Sequence, residues 1–264
     1  MTFIISLLLT LTVSLQASTP ADPTDLYYVV FLRAAPERPP ISSTDAERIQ
    51  SAHMANIHAM EARGVLVAAG PFDDSPTTIS GIFVFKVASI DEARRIAAED
   101  PTVVEHRNVV DVVAWRAPRD IGVEYKRLHA ERPETPVGMG LQPFYLIYRG
   151  PSLAARDTPA AALKAHADYV DQLRTTGKIG AAGLTDHRPD LLSIVIFNRI
   201  PEDEAARLMS ADPAVKSGAL RSESHRWWCA DHVLPGADKI TGGSLVGSFS
   251  ARVSRDGSSH PASR

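Results

Sequence analysis

Cysteine and excess basic charge are both scarce in this 264-residue chain. Cys229 is the only cysteine, so no disulfide can form within the chain and its stability must come from packing. Lys and Arg number 28 against 31 Asp and Glu, which gives a formal net charge of −3. This balance creates none of the positive field that nucleic acid or an anionic membrane surface attracts. We therefore expect no nucleic-acid partner.

Several catalytic motifs are also missing. The chain has no nucleophile elbow, no phosphate-binding glycine-rich loop and no HExxH helix, which argues against a typical serine hydrolase, kinase or zinc peptidase. The stretch HRWWCADH, from His225 to His232, contains groups that can bind zinc. Its spacing matches no established zinc pattern, so we predict no metal site.

Long apolar runs are absent except near the N-terminus. The run from Phe3 to Leu15 is too short for a bilayer span, which needs roughly 20 residues, so we expect no stable membrane span. Ala17, Ser18 and a Pro- and Asp-rich segment follow it, and this order predicts a signal peptide and spacer over residues 1–22. A secreted or periplasmic protein is the expectation; an uncleaved tether and a buried N-terminal element are the alternatives. Residues 236–264 are rich in Gly, Ser and Arg and predict a disordered tail.

The main positive feature of the sequence is a repeat. HMANIHAMEARGVLVAAGPFDD, which begins at His53, aligns without a gap with HADYVDQLRTTGKIGAAGLTDH, which begins at His166. Histidine, glycine, Ala-Ala-Gly and aspartate recur at a constant offset of 113 residues. Such self-similarity indicates two copies of one structural unit, and the chain is long enough for two cores.

Both copies show the same order of predicted elements. A β-branched and aromatic strand precedes a helix that ends at glycine, and two strands follow. A second helix then stops at an Asp-Pro pair, with Asp100 in the first copy and Asp212 in the second, before a last strand that reaches tryptophan. This βαββαβ order is the ferredoxin-like unit, so we predict an α+β protein. The predicted boundaries are 26–116 for the first unit, 117–141 for the linker and 142–235 for the second unit.

The strands YYVVFL and SIVIF are almost continuously apolar, which indicates burial on both faces of the sheet. A ferredoxin-like unit covers only one sheet face with its helices, so the other face needs a partner. The second copy can supply that cover. We therefore predict that the two units pack sheet to sheet as a pseudo-twofold pair within one chain, with further oligomerisation left open.

The chain resembles the YCII-related family in the order of four features. These are a helix with an inward histidine and a terminal glycine, the AAGPFDD stretch after it, a helix that begins with Asp-Glu-Ala, and an Asp-Pro pair before the last strand. That family belongs to the dimeric α/β barrel group, and the resemblance covers both copies. It implies a catalytic His–Asp pair, a small-molecule substrate and no cofactor. Carried onto this sequence, the implied residues are His53 and Asp73, His166 and Asp186, with Gly70 and Gly183 in the substrate-binding turns. The second copy departs from the pattern at Leu184 and His187, which replace Pro71 and Asp74.

His53 and His166 each lie on the apolar stripe of a predicted helix. A buried imidazole without a hydrogen-bond partner costs roughly 1–3 kcal/mol, so a partner such as the aspartate of the same copy is expected. A carboxylate on one ring nitrogen fixes the tautomer and leaves the other nitrogen available for proton transfer. With the resemblance, this favours isomerisation or elimination on a small ring-derived or lactone-like molecule.

Other interpretations of the same residues remain open at this point. Each histidine can be a core residue that ties a helix to a loop, and Asp73 and Asp186 can be ordinary turn residues. In that case the protein is a non-catalytic small-molecule-binding or scaffold module. Oxygenase chemistry, found in relatives within the wider barrel group, and haem binding are further options.

Overall fold

The computed structural model describes residues 24–74, 78–152 and 160–235. The predicted signal peptide at 1–22 and the predicted tail at 236–264 lie outside the described residues. Within the described ranges, no helix has the length and apolar character needed to cross a membrane.

Each repeat contains four strands and two longer helices in the predicted βαββαβ order, and an additional short helix precedes the last strand. The first repeat consists of β1 (Thr24–Ala34), α1 (Ser43–Ala62), β2 (Leu66–Pro71), β3 (Ile79–Phe85), α2 (Ile90–Ala98), α3 (Pro101–Val104) and β4 (Asn108–Pro118). The second consists of β5 (Met139–Arg149), α5 (Ala160–Arg174), β6 (Ile179–Asp186), β7 (Leu191–Phe197), α6 (Glu202–Ala211), α7 (Pro213–Lys216) and β8 (Leu220–Ala230). The strands extend into both ends of the predicted linker, which also forms a helix, α4 (Val123–Glu131).

The eight strands form one antiparallel sheet in the order β2-β3-β1-β4-β6-β7-β5-β8. The repeats meet at two seams. At the first, β4 pairs with β6 through Trp115 and Thr185 and the neighbouring residues. At the second, a bridge joins Phe72 to Trp227, which brings β8 back to β2. The sheet therefore closes almost completely into a barrel, as the two tandem ferredoxin-like units predicted.

Alternate residues of the strands point into the barrel or outward under the helices. The interior is filled by apolar side chains from both repeats, among them Phe31, Trp115, Phe144 and Trp227. Two further apolar clusters lie outside the sheet, one under the helices of each repeat. The interior is thus a packed core, and the polar side chains relevant to function are found in the outer layer between helix and sheet.

Side-chain hydrogen bonds cap the start of α2 and the starts of the short helices α3 and α7. Ser89 Oγ accepts the Glu92 N–H at 3.1 Å, and the Glu92 carboxylate accepts the Ala88 N–H at 3.0 Å, so a reciprocal capping interaction forms at the start of α2. After the second helix, Asp100 and Asp212 cap the short helices α3 and α7. Proline at the first position of each short helix suits a helix start, because proline has no N–H to leave unpaired.

Candidate functional site

His53, on α1, points at the junction between α2 and α3 in the first repeat. Its Nδ1 lies 2.8 Å from Oδ2 and 3.0 Å from Oδ1 of Asp100. The Asp100 side chain is completely buried, whereas the His53 side chain is 14% exposed. The His53 ring also stacks on Phe83, with centroids 5.8 Å apart. One edge of the imidazole is therefore anchored while the ring as a whole still reaches solvent.

Asp100 is held as an anion by the groups around it. It accepts hydrogen bonds from the Thr102 N–H at 3.0 Å, the Thr102 hydroxyl at 2.6 Å and the Asn56 amide at 3.0 Å. Burial alone would raise the pKa of Asp100, but the hydrogen bonds from His53, Thr102 and Asn56 and the charge of His53 outweigh it and lower the pKa below its usual value. An ionised Asp100 makes His53 Nδ1 the donor, so the lone pair of a neutral ring is on Nε2.

Because the Asp100 pKa is lower in the folded protein, its contribution to stability is complete above the unfolded pKa of about 4 and is lost as the pH falls through the folded value. Asp100→Asn is expected to cost about 2–3 kcal/mol at pH 7, since charged hydrogen bonds are lost. Below pH 4 the variant should lose stability less steeply than the wild type. Urea unfolding at pH 7, 4 and 3 tests this; parallel pH curves for the two proteins would contradict it.

The corresponding histidine of the second repeat is enclosed. His166 Nδ1 lies 2.6 Å from Asp212 Oδ2, and both side chains have no exposed surface. Asp212 also accepts the Ala214 N–H at 2.8 Å. The other ring nitrogen, Nε2, lies 3.1 Å from the Ser193 hydroxyl, and that hydroxyl donates to the Gly183 carbonyl at 3.0 Å.

Asp212, His166 and Ser193 thus have the order of a catalytic triad, but the direction of their hydrogen bonds does not suit one. Ser193 uses its only proton on the Gly183 carbonyl, so its oxygen must accept from His166 Nε2. The His166 ring therefore has a hydrogen-bond partner on each nitrogen, Asp212 on Nδ1 and Ser193 on Nε2. Since Ser193 is itself fully buried, this constellation is a structural network.

Two substitutions between the repeats explain why one histidine is open and the other closed. Gly81 pairs with Pro71 in the first repeat, and Ser193 pairs with Leu184 at the same register in the second. Gly81 has no side chain to reach the imidazole. Pro71 is exposed, whereas Leu184 is buried under the helices of the second repeat. The His53 side chain is accordingly 14% exposed, whereas the His166 side chain has no exposed surface.

The expected pairing of His53 with Asp73 and of His166 with Asp186 is replaced by Asp100 and Asp212. Asp73 instead lies at the second seam, where its N–H donates to the Arg226 carbonyl at 2.8 Å. Asp186 accepts the N–H of the next residue at 2.8 Å, which is typical of a turn aspartate. Asp73 follows the second strand of its repeat and Asp186 is the last residue of its own, so both lie at the end of a strand rather than at the helix junction.

Gly70 and Gly183 also lie at the seams between the repeats. A Cβ at Gly70 would overlap the Trp228 carbonyl oxygen, and one at Gly183 would overlap the Arg116 carbonyl oxygen. These glycines let the backbones of the two repeats approach each other. The predicted substrate-binding role is still a prediction, but their first effect is on barrel closure.

A further His–Asp pair crosses the second seam. His225 Nδ1 lies 2.7 Å from Asp74 Oδ2, and its Nε2 lies 3.1 Å from Glu223 Oε1. Cys229, two alternate positions along the strand, is part of the barrel interior, and burial raises its pKa to about 12. In the part of the chain that the structure describes, no three His, Cys, Asp or Glu side chains group together as metal ligands would.

The sequence model of the YCII-related domain matches residues 27–116. The first repeat is a YCII-related domain. This confirms the resemblance inferred from its motifs. No relative was found among the curated proteins.

The solved structures similar to the chain share its barrel. A mutant of chlorite dismutase from Candidatus Nitrospira defluvii matches with a TM-score of 0.50 at 9% identity, over 87% of this chain and 96% of that chain. A candidate chlorite dismutase matches with a TM-score of 0.45 at 16% identity, over 83% and 99% of the two chains. A candidate monooxygenase from Lactobacillus acidophilus NCFM matches with a TM-score of 0.41 at 12% identity, over 77% and 93%. At 9% identity, the match to the chlorite dismutase mutant shows the fold alone, which is the dimeric α/β barrel.

In the YCII-related repeat, sequence patterns located the histidine but not its partner. The Asp-Pro pairs at Asp100 and Asp212 were recognised only as helix stops. The signal that could have revealed them is their recurrence in both copies, 112 residues apart, each directly after the second long helix of its copy. The repeat could not indicate the role of Ser193, because the first copy has Gly81 at the equivalent position.

Proposed function

We propose that the YCII-related repeat performs cofactor-free proton transfer on a small ring-derived or lactone-like molecule. His53 Nε2 is the acid and base, and Asp100 is the positioning residue that fixes the tautomer. The observation that carries this proposal is the contrast between the histidines. Nε2 of His166 lies against Ser193, whereas His53, among the residues that the structure describes, is anchored through Nδ1 alone and is partly exposed.

The chemistry needs no group beyond the chain and its substrate. His53 Nε2 takes a proton from a carbon next to a carbonyl, and the C–H electron pair forms the double bond of an enolate. The proton on the protonated ring exchanges with water, and the ring then gives a proton to a different carbon, so the product is an isomer and no electrons are gained or lost. General acid–base catalysis of this kind contributes about 10²–10⁴-fold in rate.

The competing proposal is a non-catalytic binding or scaffold protein. It is supported by the second repeat, where a His–Asp pair in the same place is fully buried and serves packing. If the first pair serves the same purpose, His53 orders the α1 contact with α3 and carries out no chemistry.

Isomerisation of α-angelica lactone to its conjugated β isomer, a single proton shift, tests the proposal. In deuterated buffer, proton NMR should show isomerisation with deuterium incorporation by the wild type. His53→Gln is expected to lower the rate about 10²-fold or more with little change in the circular dichroism spectrum.

His58→Gln is the matched control, because His58 lies on the same helix but on an exposed face. It should retain the wild-type rate. Equal rates for His53→Gln and the wild type, or no isomerisation by the wild type, would contradict the catalytic proposal and favour the binding module.

A further inference from the structure

The second repeat holds a hydroxyl group at a defined place between histidine and main chain. Ser193 Oγ lies 3.1 Å from His166 Nε2 and donates to the Gly183 carbonyl oxygen at 3.0 Å. The three atoms form a short chain from ring nitrogen to hydroxyl to carbonyl. In the second repeat these groups belong to α5, β6 and β7. The corresponding elements of the first repeat are α1, β2 and β3.

In the first repeat, the side chain that would supply this hydroxyl is missing, because Gly81 takes the place of Ser193. A Cβ at Gly81 would lie 2.7 Å from the Gly70 carbonyl oxygen, so that carbonyl borders the position where a side chain would begin. His53 is anchored through Nδ1 as His166 is. His53 Nε2 and the Gly70 carbonyl are therefore the counterparts of the two groups that hold the Ser193 hydroxyl.

A hydroxyl from a ligand suits this place in both protonation states of His53. When the ring is neutral, the hydroxyl donates its proton to the Nε2 lone pair. When the ring is protonated, Nε2–H donates to the hydroxyl oxygen, which donates in turn to the Gly70 carbonyl, as Ser193 does in the second repeat. An ether oxygen cannot donate in either state.

The surroundings favour a flat, uncharged molecule. Pro71 is exposed beside Gly81. Since Phe72 bridges to Trp227 in an antiparallel pair, the next residue along β8, Trp228, lies opposite Pro71, and it is 39% exposed. Planar rings stack favourably on an indole. The buried Asp100 anion would repel a second anion.

We infer that the first repeat binds an uncharged planar molecule with an acidic hydroxyl, a phenol or an enol, with its oxygen where Ser193 Oγ stands in the second repeat. The inference rests on the proposed function in placing the ligand at His53 Nε2. It adds Gly81, Pro71 and Trp228 as the residues that determine which ligand fits.

Phenol, anisole and cyclohexanol separate the two requirements. Phenol is planar with a hydroxyl, anisole is planar without an O–H, and cyclohexanol has a hydroxyl without a planar ring. NMR titration of the full-length protein should give phenol a dissociation constant at least about tenfold lower than either analogue. Phenol and anisole binding equally, or phenol not binding, would overturn the inference.

Variants that copy the second repeat locate the site. Gly81→Ser should abolish phenol binding, but its added Cβ would lie against the Gly70 carbonyl and can impair folding. Pro71→Leu should also abolish phenol binding, and it adds no Cβ at that place. The test therefore still works if Gly81→Ser does not fold. Trp228→Ala should weaken phenol binding about tenfold, whereas Trp228→Phe should stay within about threefold. Unchanged binding in Pro71→Leu and Trp228→Ala would place phenol elsewhere and overturn the inference.

The binding readout is independent of turnover. If phenol follows this pattern while lactone isomerisation proceeds without His53, the proposed catalysis fails and the ligand inference stands. If isomerisation requires His53 while phenol ignores Pro71 and Trp228, the catalysis stands and the ligand inference fails.

Discussion

Replacing His166 with alanine is expected to destabilise the protein by about 3–5 kcal/mol, because it leaves the fully buried Asp212 carboxyl group without its hydrogen-bonded partner. Replacing His53 with alanine should cost only about 1–2 kcal/mol. The two histidines occupy equivalent positions on equivalent helices. The predicted difference in destabilisation between the two variants therefore reflects how deeply each His–Asp pair is buried, and not where the histidine lies in the fold.

The reason for the difference lies in what each variant leaves behind. Without His166, the fully buried Asp212 keeps its contact with the Ala214 N–H but loses its hydrogen bond to the imidazole. Without His53, Asp100 retains the hydrogen bonds from Thr102 and Asn56, and water can approach through the exposed edge. A buried anion without a partner is costly, whereas a hydrated one is not.

Urea unfolding followed by circular dichroism at pH 7 measures both free energies. His58→Ala, on an exposed helix face, should change stability by no more than about 0.5 kcal/mol and serves as the control. Equal losses for His53→Ala and His166→Ala would show that the two pairs are equally enclosed, and would remove the main support for a site in the first repeat.

Gly183→Ala and Gly70→Ala are expected to destabilise the barrel by about 3 kcal/mol or more, because each added methyl group would overlap a backbone carbonyl of the facing strand. Backbone cannot rotate away as a side chain can. The strands at each seam would have to separate, and the interior that both repeats share would lose its closure.

Gly140→Ala is the matched control for this pair, since it is also a strand glycine. Its added methyl group would meet the end of the Arg199 side chain at 3.4 Å, which can move, so a change of at most about 0.5 kcal/mol is expected. Thermal unfolding of the three variants tests the comparison. If Gly183→Ala melts at the wild-type temperature, the seams do not depend on the close approach at this glycine.

The contrast between the repeats suggests why the chain carries two. In the second, Ser193 and Leu184 close the place beside the histidine, and the network contributes to packing. In the first, Gly81 and Pro71 leave that place accessible. One copy can thus stabilise the shared barrel while the other holds the candidate site.

The candidate site was only partly predictable from the sequence. The apolar stripe around His53 correctly indicated a histidine directed between helix and sheet. The sequence pattern instead indicated Asp73 as its partner, because Asp73 recurs with His53 at the constant offset of 113 residues. Asp100 lies 47 residues from His53, and a contact at such separation leaves no local periodicity to detect.

Local patterns were sufficient for the repeat, the βαββαβ order and the alternation of buried strand residues, because strand and helix periods are written in neighbouring residues. Long-range strand register was needed for the rest. It places Ser193 within reach of His166, puts Gly81 at the equivalent position of the first repeat, and closes β8 onto β2 near Trp228. Whether an imidazole is sealed or open depends on those pairings across the sheet, since side chains from distant segments supply or withhold the second hydrogen bond.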